Sequence, residues 1–172
     1  SSTSRGLGDV YKRQALAIST LNQKKISKKD FKKFHPSGNL GAKLRTVEEI
    51  MIIGNKIPFV NGNLIMKKAL QIISNKKLGI LVVRNSKGIT IGVITDGQIR
   101  RFNEVNDNLQ SLTVKEVMTL NPISIDKDTL VEKALSIMNS KKITSLCVHN
   151  KKNLKRTVGI LHIHKILETN IN

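Results

Sequence analysis

The sequence predicts an α/β fold in which one β-α-β-β-α unit occurs twice. Residues 46–51, Thr-Val-Glu-Glu-Ile-Met, return 67 positions later as Thr-Val-Lys-Glu-Val-Met at 113–118. The block Gly-Val-Ile at 92–94 returns at the same spacing as Gly-Ile-Leu at 159–161. Apolar residues at helical spacing recur between these blocks. The shared offset indicates an internal duplication, whose copies we expect to pack face to face with a ligand site at their seam.

The composition is that of a globular chain with a core of Ile, Leu and Val. Hydrophobic residues make up 39% of the chain and aromatic residues only 3%. The net charge of +18 suggests nucleic acid as a partner, but lysines spread through every segment carry most of it. There is no arginine-rich stripe, and the aromatic side chains that stack on bases are nearly absent. We therefore expect no nucleic-acid partner, and a basic nucleic-acid binder is kept only as a third alternative.

No segment of the chain predicts contact with a membrane. No apolar run approaches the roughly 18–20 residues that span a bilayer, and no signal peptide is recognisable at the start. We expect a cytoplasmic protein. The single cysteine, Cys147, lies between apolar residues of a predicted strand and is interpreted as a small core residue.

Residues 1–14 have no hydrophobic period and share no pattern with the helical segment that begins at Ala15. Residues 9–14, Asp-Val-Tyr-Lys-Arg-Gln, resemble the translation of a transposon-end sequencing adapter. We expect 1–14 to be an adapter-derived artefact rather than a native flexible terminus. The natural protein is then expected to continue upstream of Ala15.

Residues 15–45 are predicted to be mainly helical. The apolar positions of 15–21 indicate the end of a helix, and Ser27 begins a second helix through a capping-box-like start. That helix must stop near His35, because the residue before a proline is pushed out of the helical region. A turn at 35–41 and a short helix at 40–45 come next.

The two copies are predicted to have the same order of elements. Thr46 with Glu49, and Thr113 with Glu116, each form a capping box that starts a short helix. The first copy then has a strand at 58–60, a helix after Asn63, strands at 79–83 and 89–94 joined by a turn at 85–88, and a helix at 97–102. The second copy has a strand at 123–125, a helix after Asp128, strands at 145–148 and 157–161 joined by a longer loop at 150–156, and a helix at 163–168. The predicted boundaries are 46–104 for the first copy, 105–112 for a linker and 113–169 for the second copy.

This duplicated unit resembles a tandem pair of cystathionine-β-synthase (CBS) domains. The most specific marks are the Val-x-x-(Ile/Val)-Met opening of each copy and Gly-Val-Ile-Thr-Asp-Gly at 92–97. The resemblance implies two repeats packed with pseudo-two-fold symmetry. It also implies a cleft that binds an adenine nucleotide or a related effector and passes the signal to an attached enzyme.

The segment before the pair resembles the end of the sugar-isomerase (SIS) domain of D-arabinose 5-phosphate isomerases. Residues 31–44 read Phe-Lys-Lys-Phe-His-Pro-Ser-Gly-Asn-Leu-Gly-Ala-Lys-Leu, against the family's His-Pro-(Gly/Ser)-Gly-x-Leu-Gly. Thr-Asp-Gly-Gln-Ile-Arg-Arg at 95–101 and Leu-His-Ile-His at 161–164 also resemble that family. The resemblance implies that 15–45 is the C-terminal helical stub of a SIS domain.

The implied reaction interconverts D-ribulose 5-phosphate and D-arabinose 5-phosphate, which feeds 3-deoxy-D-manno-octulosonate for lipopolysaccharide. This is a proton transfer between C1 and C2 through an enediol, so the sugar-phosphate site needs acid–base groups. Of the family's active-site residues, His35 alone lies in this sequence, and a histidine titrates near neutral pH. The interpretation without chemistry is a loop histidine that ends a helix. We expect this fragment to have no isomerase activity and to retain mainly the regulatory CBS pair. The family suggests a homodimer or homotetramer.

The residues expected to contact an effector depart from the family pattern. In nucleotide-binding CBS domains a Ser or Thr after the third strand contacts phosphate, and an Asp three residues later holds the ribose hydroxyls. Thr95 fits the first role, but Gln98 stands at the second, and the corresponding pair is His162 and Lys165. Lysine only donates hydrogen bonds and a glutamine amide accepts at one end, so ribose binding is weakened. His162 and Lys165 would favour an anionic ligand such as a sugar phosphate or sugar nucleotide.

Four further expectations concern metals, Asp96, cofactors and the alternative function. His162 and His164 invite a metal site, but no Cys, Asp or Glu partner lies within a turn on the same side, so we expect none. Asp96 is interpreted as an acid at a helix start, because no second carboxylate pairs with it. We expect no cofactor. The alternative to an isomerase fragment is a stand-alone CBS module that binds an effector or drives oligomerisation.

Overall fold

The computed structural model describes residues 45–171, which form two small mixed sheets covered by helices. The first sheet has the order β1-β2-β3-β4, with strands at Phe59–Asn61, Ile80–Arg84, Thr90–Thr95 and Thr119–Leu120. The second sheet has the order β5-β6-β7, with strands at Ser124–Asp126, Ser145–His149 and Gly159–His162. In each sheet the first two strands are parallel and the next pair is antiparallel. The predicted order of strands is confirmed, and β4 is a strand that the sequence pattern missed.

Six α-helices accompany the sheets in the part of the chain that the structure describes. They are α1 at Val47–Ile50, α2 at Met66–Lys76, α3 at Asp96–Val105, α4 at Val114–Val117, α5 at Val131–Lys141 and α6 at Ile163–Ile171. Short 3-10 turns occupy Gly54–Lys56 and Leu109–Ser111. Helix α3 is longer than predicted at both ends, and it extends by one residue into the stretch expected to be a linker. The predictions for 1–44 lie outside the described residues.

Both predicted capping boxes are present. The backbone N–H of Thr46 donates to Oε2 of Glu49 over 3.0 Å, and Thr113 donates to Oε2 of Glu116 over the same distance. The longer helices α2 and α5 begin without a side-chain cap, and each is followed by a lysine with a left-handed backbone, Lys77 and Lys142. The duplication therefore extends to helix ends whose sequence signal is weak.

The opening helix of each copy packs into the core of the other copy. Val47 and Ile50 of α1 lie in one core with Leu135 and Leu146, which belong to the second copy. The converse holds for α4, whose two buried valines lie in the core of the first copy. Strand pairing shows the same exchange, because β4 extends the first sheet and Ile52 forms an antiparallel bridge with β7. The two copies are therefore tied together at both ends.

A third core cluster forms the seam between the two sheets. Its buried members come from both copies: Ile52, Ile57, Ile80, Val82, Val93, Cys147 and Ile160. The expected burial of Cys147 is confirmed, since 2% of it is exposed. The hydroxyls of Thr90 and Thr157, which occupy equivalent positions, meet over 2.7 Å. A contact between equivalent residues must lie near the symmetry axis, so the expected pseudo-two-fold packing is confirmed.

The strand-to-helix transitions place the candidate site residues. At the end of β3, the N–H of Asp96 donates to the carbonyl of Gly79 over 3.0 Å. At the end of β7, the N–H of Ile163 donates to the carbonyl of Thr144 over 2.9 Å. These matching bonds aim the first turns of α3 and α6 in equivalent directions.

Candidate effector site

Thr95 ends β3 and caps helix α3. Its Oγ1 accepts a hydrogen bond from the backbone N–H of Gln98 over 3.3 Å, which satisfies one of the free donors at the helix start. The side chain is half-buried. A threonine hydroxyl has one proton to donate and a second lone pair, so Thr95 retains hydrogen-bonding capacity for a ligand. The first predicted anchor thus stands at a helix N-terminus, where an anion is favoured.

The side chain of Gln98 is engaged within the protein. Its amide nitrogen donates a hydrogen bond to the backbone carbonyl of Val117, the last residue of α4. This bond joins the second anchor position of the first copy to the opening helix of the second copy. With one amide N–H so bound, Gln98 keeps its second N–H and its carbonyl oxygen for a ribose hydroxyl, and the bond to Val117 restricts their direction.

Asp96 begins α3 as the predicted helix-start acid. Burial raises the pKa of its carboxyl above the ordinary value, and the nearby guanidinium of Arg100 partly offsets that rise. The spacing from Asp96 to Arg100 is one helical turn, so this contact was readable from the sequence. Asp96 thus stands where a helix N-terminus favours an acid, although burial disfavours its charged form.

His162 is buried at the end of β7, with 1% of its surface exposed. Its Nδ1 accepts a hydrogen bond from the backbone N–H of His164 over 3.1 Å, and the two imidazole rings stack with centroids 4.9 Å apart. Burial, together with the charge of His164, lowers the pKa of His162 to about 4, and a hydrogen bond with the Leu78 backbone partly opposes this shift. His162 is therefore neutral at physiological pH and brings no positive charge to an anion.

Lys165 lies on the first turn of α6 with an exposed side chain. Its Nζ is 3.8 Å from Oε2 of Glu168, one turn further along the same helix. An exposed pair of this kind contributes little to stability and is screened by salt. The carboxylate of Glu168 nevertheless partly offsets the positive charge of Lys165, which the sequence analysis expected to attract an anion.

The structure brings the two sets of predicted residues into neighbouring positions. Thr95, Asp96 and Gln98 share the first turn of α3, while His162 and Lys165 lie at the start of α6. His162 contacts the backbone of Leu78, and the next residue, Gly79, accepts the N–H of Asp96. Sequence patterns missed Leu78 and Val117, because both act through backbone carbonyls, which no side-chain motif marks.

Three expectations remain, which concern His35, a metal site and a membrane-spanning helix. His35 lies outside the described residues. Within 45–171, no group of His, Cys, Asp and Glu residues is arranged to hold a metal ion. No helix in that range is both long and apolar enough to cross a membrane.

Comparison with known proteins identifies the repeated unit. The CBS domain family model matches residues 47–104 and 114–171. The chain is 39% identical over 155 residues to arabinose 5-phosphate isomerase KdsD of Francisella tularensis, an alignment that covers 90% of this chain and 46% of that protein. It is 35% identical over 150 residues to arabinose 5-phosphate isomerase KpsF of Escherichia coli, covering 87% of this chain and 45% of that protein. The chain thus spans less than half the length of these relatives.

A solved structure shows the same fold. CBSX2 in complex with AMP matches with a TM-score of 0.61 and 20% sequence identity, covering 72% of this chain and 93% of that one. A similarity at this level of identity concerns the fold alone.

Proposed function

Because the chain belongs to the CBS domain family, we propose that it is the regulatory, C-terminal part of an arabinose 5-phosphate isomerase. The length of the alignments carries this proposal. An alignment of 150 residues with the Escherichia coli isomerase is too long to fit within 47–171, so it includes part of the segment before the CBS pair. A free-standing CBS pair has no need of that segment. The sugar-phosphate substrate and the cytoplasmic compartment are parts of the same proposal.

In this proposal, catalysis belongs to the longer protein and His35 is its only contribution from this chain. Interconversion of ribulose 5-phosphate and arabinose 5-phosphate moves a proton between C1 and C2. An imidazole with an ordinary pKa is suited to give or take a proton at neutral pH. The chain itself is expected to be inactive, because the phosphate-binding groups and the remaining acid–base groups lie in the part of the protein that precedes it.

The CBS pair is proposed to bind a nucleotide-like effector at the start of α3. Thr95 supports this role, since its hydroxyl and the N-terminus of a ten-residue helix together favour phosphate. Gln98 is tied by one amide N–H to the carbonyl of Val117, and it offers a ribose one acceptor oxygen where a carboxylate would offer two. Recognition is therefore expected to depend more on the phosphate than on the ribose hydroxyls.

The second candidate function is a stand-alone CBS module. One observation favours it: the described residues bury three hydrophobic clusters made from their own side chains. A unit that fills its own core can fold without a catalytic domain. This candidate predicts an effector-binding or oligomerising protein without isomerase activity.

The isomerase proposal is tested on the longer protein, once the DNA upstream of the codon for Ala15 has been recovered. We expect an in-frame SIS domain and turnover of ribulose 5-phosphate. His35→Asn should lower kcat by roughly a hundredfold or more, the typical contribution of acid–base catalysis. His149→Asn is the matched control, because His149 is bonded to Ser124 in the CBS pair. Full activity of His35→Asn would contradict the catalytic role, and a start codon next to Ala15 would favour the stand-alone module.

The effector proposal is tested by calorimetric titration of the chain with AMP, ATP and a CMP-linked sugar. We expect at least one of them to bind and Thr95→Val to weaken that binding, because valine keeps the shape and removes the hydroxyl. No heat with any of the three would count against an effector role. The homodimer or homotetramer remains a prediction, which sedimentation velocity of the longer protein tests.

A further inference from the structure

The position equivalent to Thr95 is occupied in the second copy by a buried imidazole. We propose that His162 closes this position to ligands, so that each chain binds one effector molecule rather than two. The inference rests on the effector site proposed at Thr95. Beyond that site, it states how many effector molecules one chain binds and assigns this number to His162.

The equivalence of the two positions is a property of the backbone. Thr95 pairs with the first residue of β2, and His162 pairs with the first residue of β6, in matching antiparallel registers. The residue after each one begins a helix and donates its N–H to a carbonyl just before the neighbouring strand. A ligand site at the start of α3 therefore has a geometric counterpart at the start of α6.

The side chains at the two positions differ in size and in exposure. Thr95 is half-buried, whereas only 1% of His162 is exposed. An imidazole ring is larger than the threonine side chain and already lies in the protein interior. A phosphate at the start of α6 would require the ring to leave this position, and close-packed interiors resist such displacement.

The hydrogen bonds of His162 also hold the ring in place. Its Nδ1 accepts the N–H of His164, a backbone donor near the start of α6 of the kind that attracts phosphate. The ring stacks on that of His164 and contacts the backbone of Leu78 from the first copy. In the first copy the smaller Thr95 hydroxyl accepts the N–H of Gln98, a donor one position further along its helix than the donor that His162 binds.

Charge does not compensate for the closed position. The neutral imidazole attracts no anion, and the Nζ of Lys165 has Oε2 of Glu168 3.8 Å away. A phosphate that approached α6 would meet this carboxylate on the next turn. Both the shape and the charges of the second position therefore disfavour a nucleotide.

The number of AMP molecules bound per chain tests the proposal. Calorimetric titration is made on the chain, on His162→Thr/Lys165→Gln and on Thr95→His. The double variant gives the second position the same two residues as the first, and Lys165→Gln alone is the matched control. We expect a stoichiometry of one for the chain and for the control, two for the double variant and none for Thr95→His. Two sites in the unchanged chain, or no gain in a folded double variant, would overturn the proposal.

The titrations distinguish a failure of the effector site at Thr95 from a failure of closure by His162. If the unchanged chain binds no AMP, the effector site at Thr95 fails; a site gained in the double variant would still support closure by His162. If the double variant does not fold, the imidazole signals of His162 in the ¹³C-labelled unchanged chain serve instead. Signals that stay unchanged at saturating AMP support the proposal. Signals that shift with a second binding event contradict it.

Discussion

Met51 packs its side chain against Gly159, which belongs to the other copy of the repeat. A Cβ atom on Gly159 would overlap the sulfur of Met51 and lie 2.8 Å from its Cγ. The equivalent pair, Met118 and Gly92, has the same arrangement, with the Met118 sulfur 2.8 Å from a Cβ on Gly92. The two blocks that first revealed the duplication therefore contact each other across the copies. Each methionine ends an opening motif, and each glycine begins a Gly-hydrophobic-hydrophobic block.

The two glycines are predicted to tolerate alanine unequally. The nearest atom to a Cβ on Gly92 is the backbone carbonyl oxygen of Thr119, at 2.7 Å, whereas at Gly159 it belongs to a flexible methionine side chain. We expect Gly92→Ala to lower the free energy of unfolding by about 1–3 kcal/mol, and Gly159→Ala by less. Urea unfolding measures both. Met51→Ala should recover part of the loss in Gly159→Ala, and an equal cost for the two glycines would contradict this prediction.

The sequence predicted local structure well and contacts between the copies less well. Capping boxes such as Thr46 with Glu49 are local signals, and both occur as predicted. The exchange of α1 and α4 between the cores was not predicted, because periodicity shows which face of a helix is buried but not against which sheet. The same contrast between local structure and tertiary contacts holds at the candidate site. Thr95 could be placed at a helix start from its motif, whereas the bond from Gln98 to the Val117 carbonyl depends on tertiary structure.

The contributions of the Thr90 and Thr157 hydroxyls to stability are predicted to be coupled. Thr90 and Thr157 share a 2.7 Å hydrogen bond, and Thr157 also bonds the thiol of Cys147. Replacing one threonine by valine leaves the other hydroxyl without this partner, so each single variant should lose about 1 kcal/mol. Thr157→Val should lose more than Thr90→Val, because it removes two contacts. The double variant should lose less than the sum of the single losses in a double-mutant cycle; additive losses would indicate that the hydroxyls are independent.

Cys147 is predicted to be unreactive in the folded chain. Burial raises the pKa of its thiol to about 11, although the bond with Thr157 opposes the rise. At pH 8 the thiolate fraction is then roughly a hundredfold below that of an ordinary thiol, and the thiolate is the reactive form. A disulfide reagent should therefore react at least that much more slowly in buffer than in urea. Because Cys147 is the only cysteine, the absorbance of the thiol that a chromogenic disulfide reagent releases reports this residue alone. Rapid reaction in buffer would show that the seam opens readily.

The buried imidazole of His162 is predicted to make stability fall in mild acid. Its pKa is about 4 in the folded chain, against an ordinary value of 6.5. Between these values the unfolded chain binds a proton that the folded chain does not, so the free energy of unfolding falls as the pH falls from 6.5 towards 4. The loss from His162 should approach about 3 kcal/mol at pH 4 and level off below it. His162→Gln removes this titration while keeping a polar side chain. Urea unfolding is measured from pH 7.5 to pH 4, and the free energy of unfolding should fall more steeply with decreasing pH in the unchanged chain than in the variant. Carboxyl groups titrate in both proteins, so the difference between the two curves reports His162. Parallel curves would mean that His162 is not held neutral in the interior.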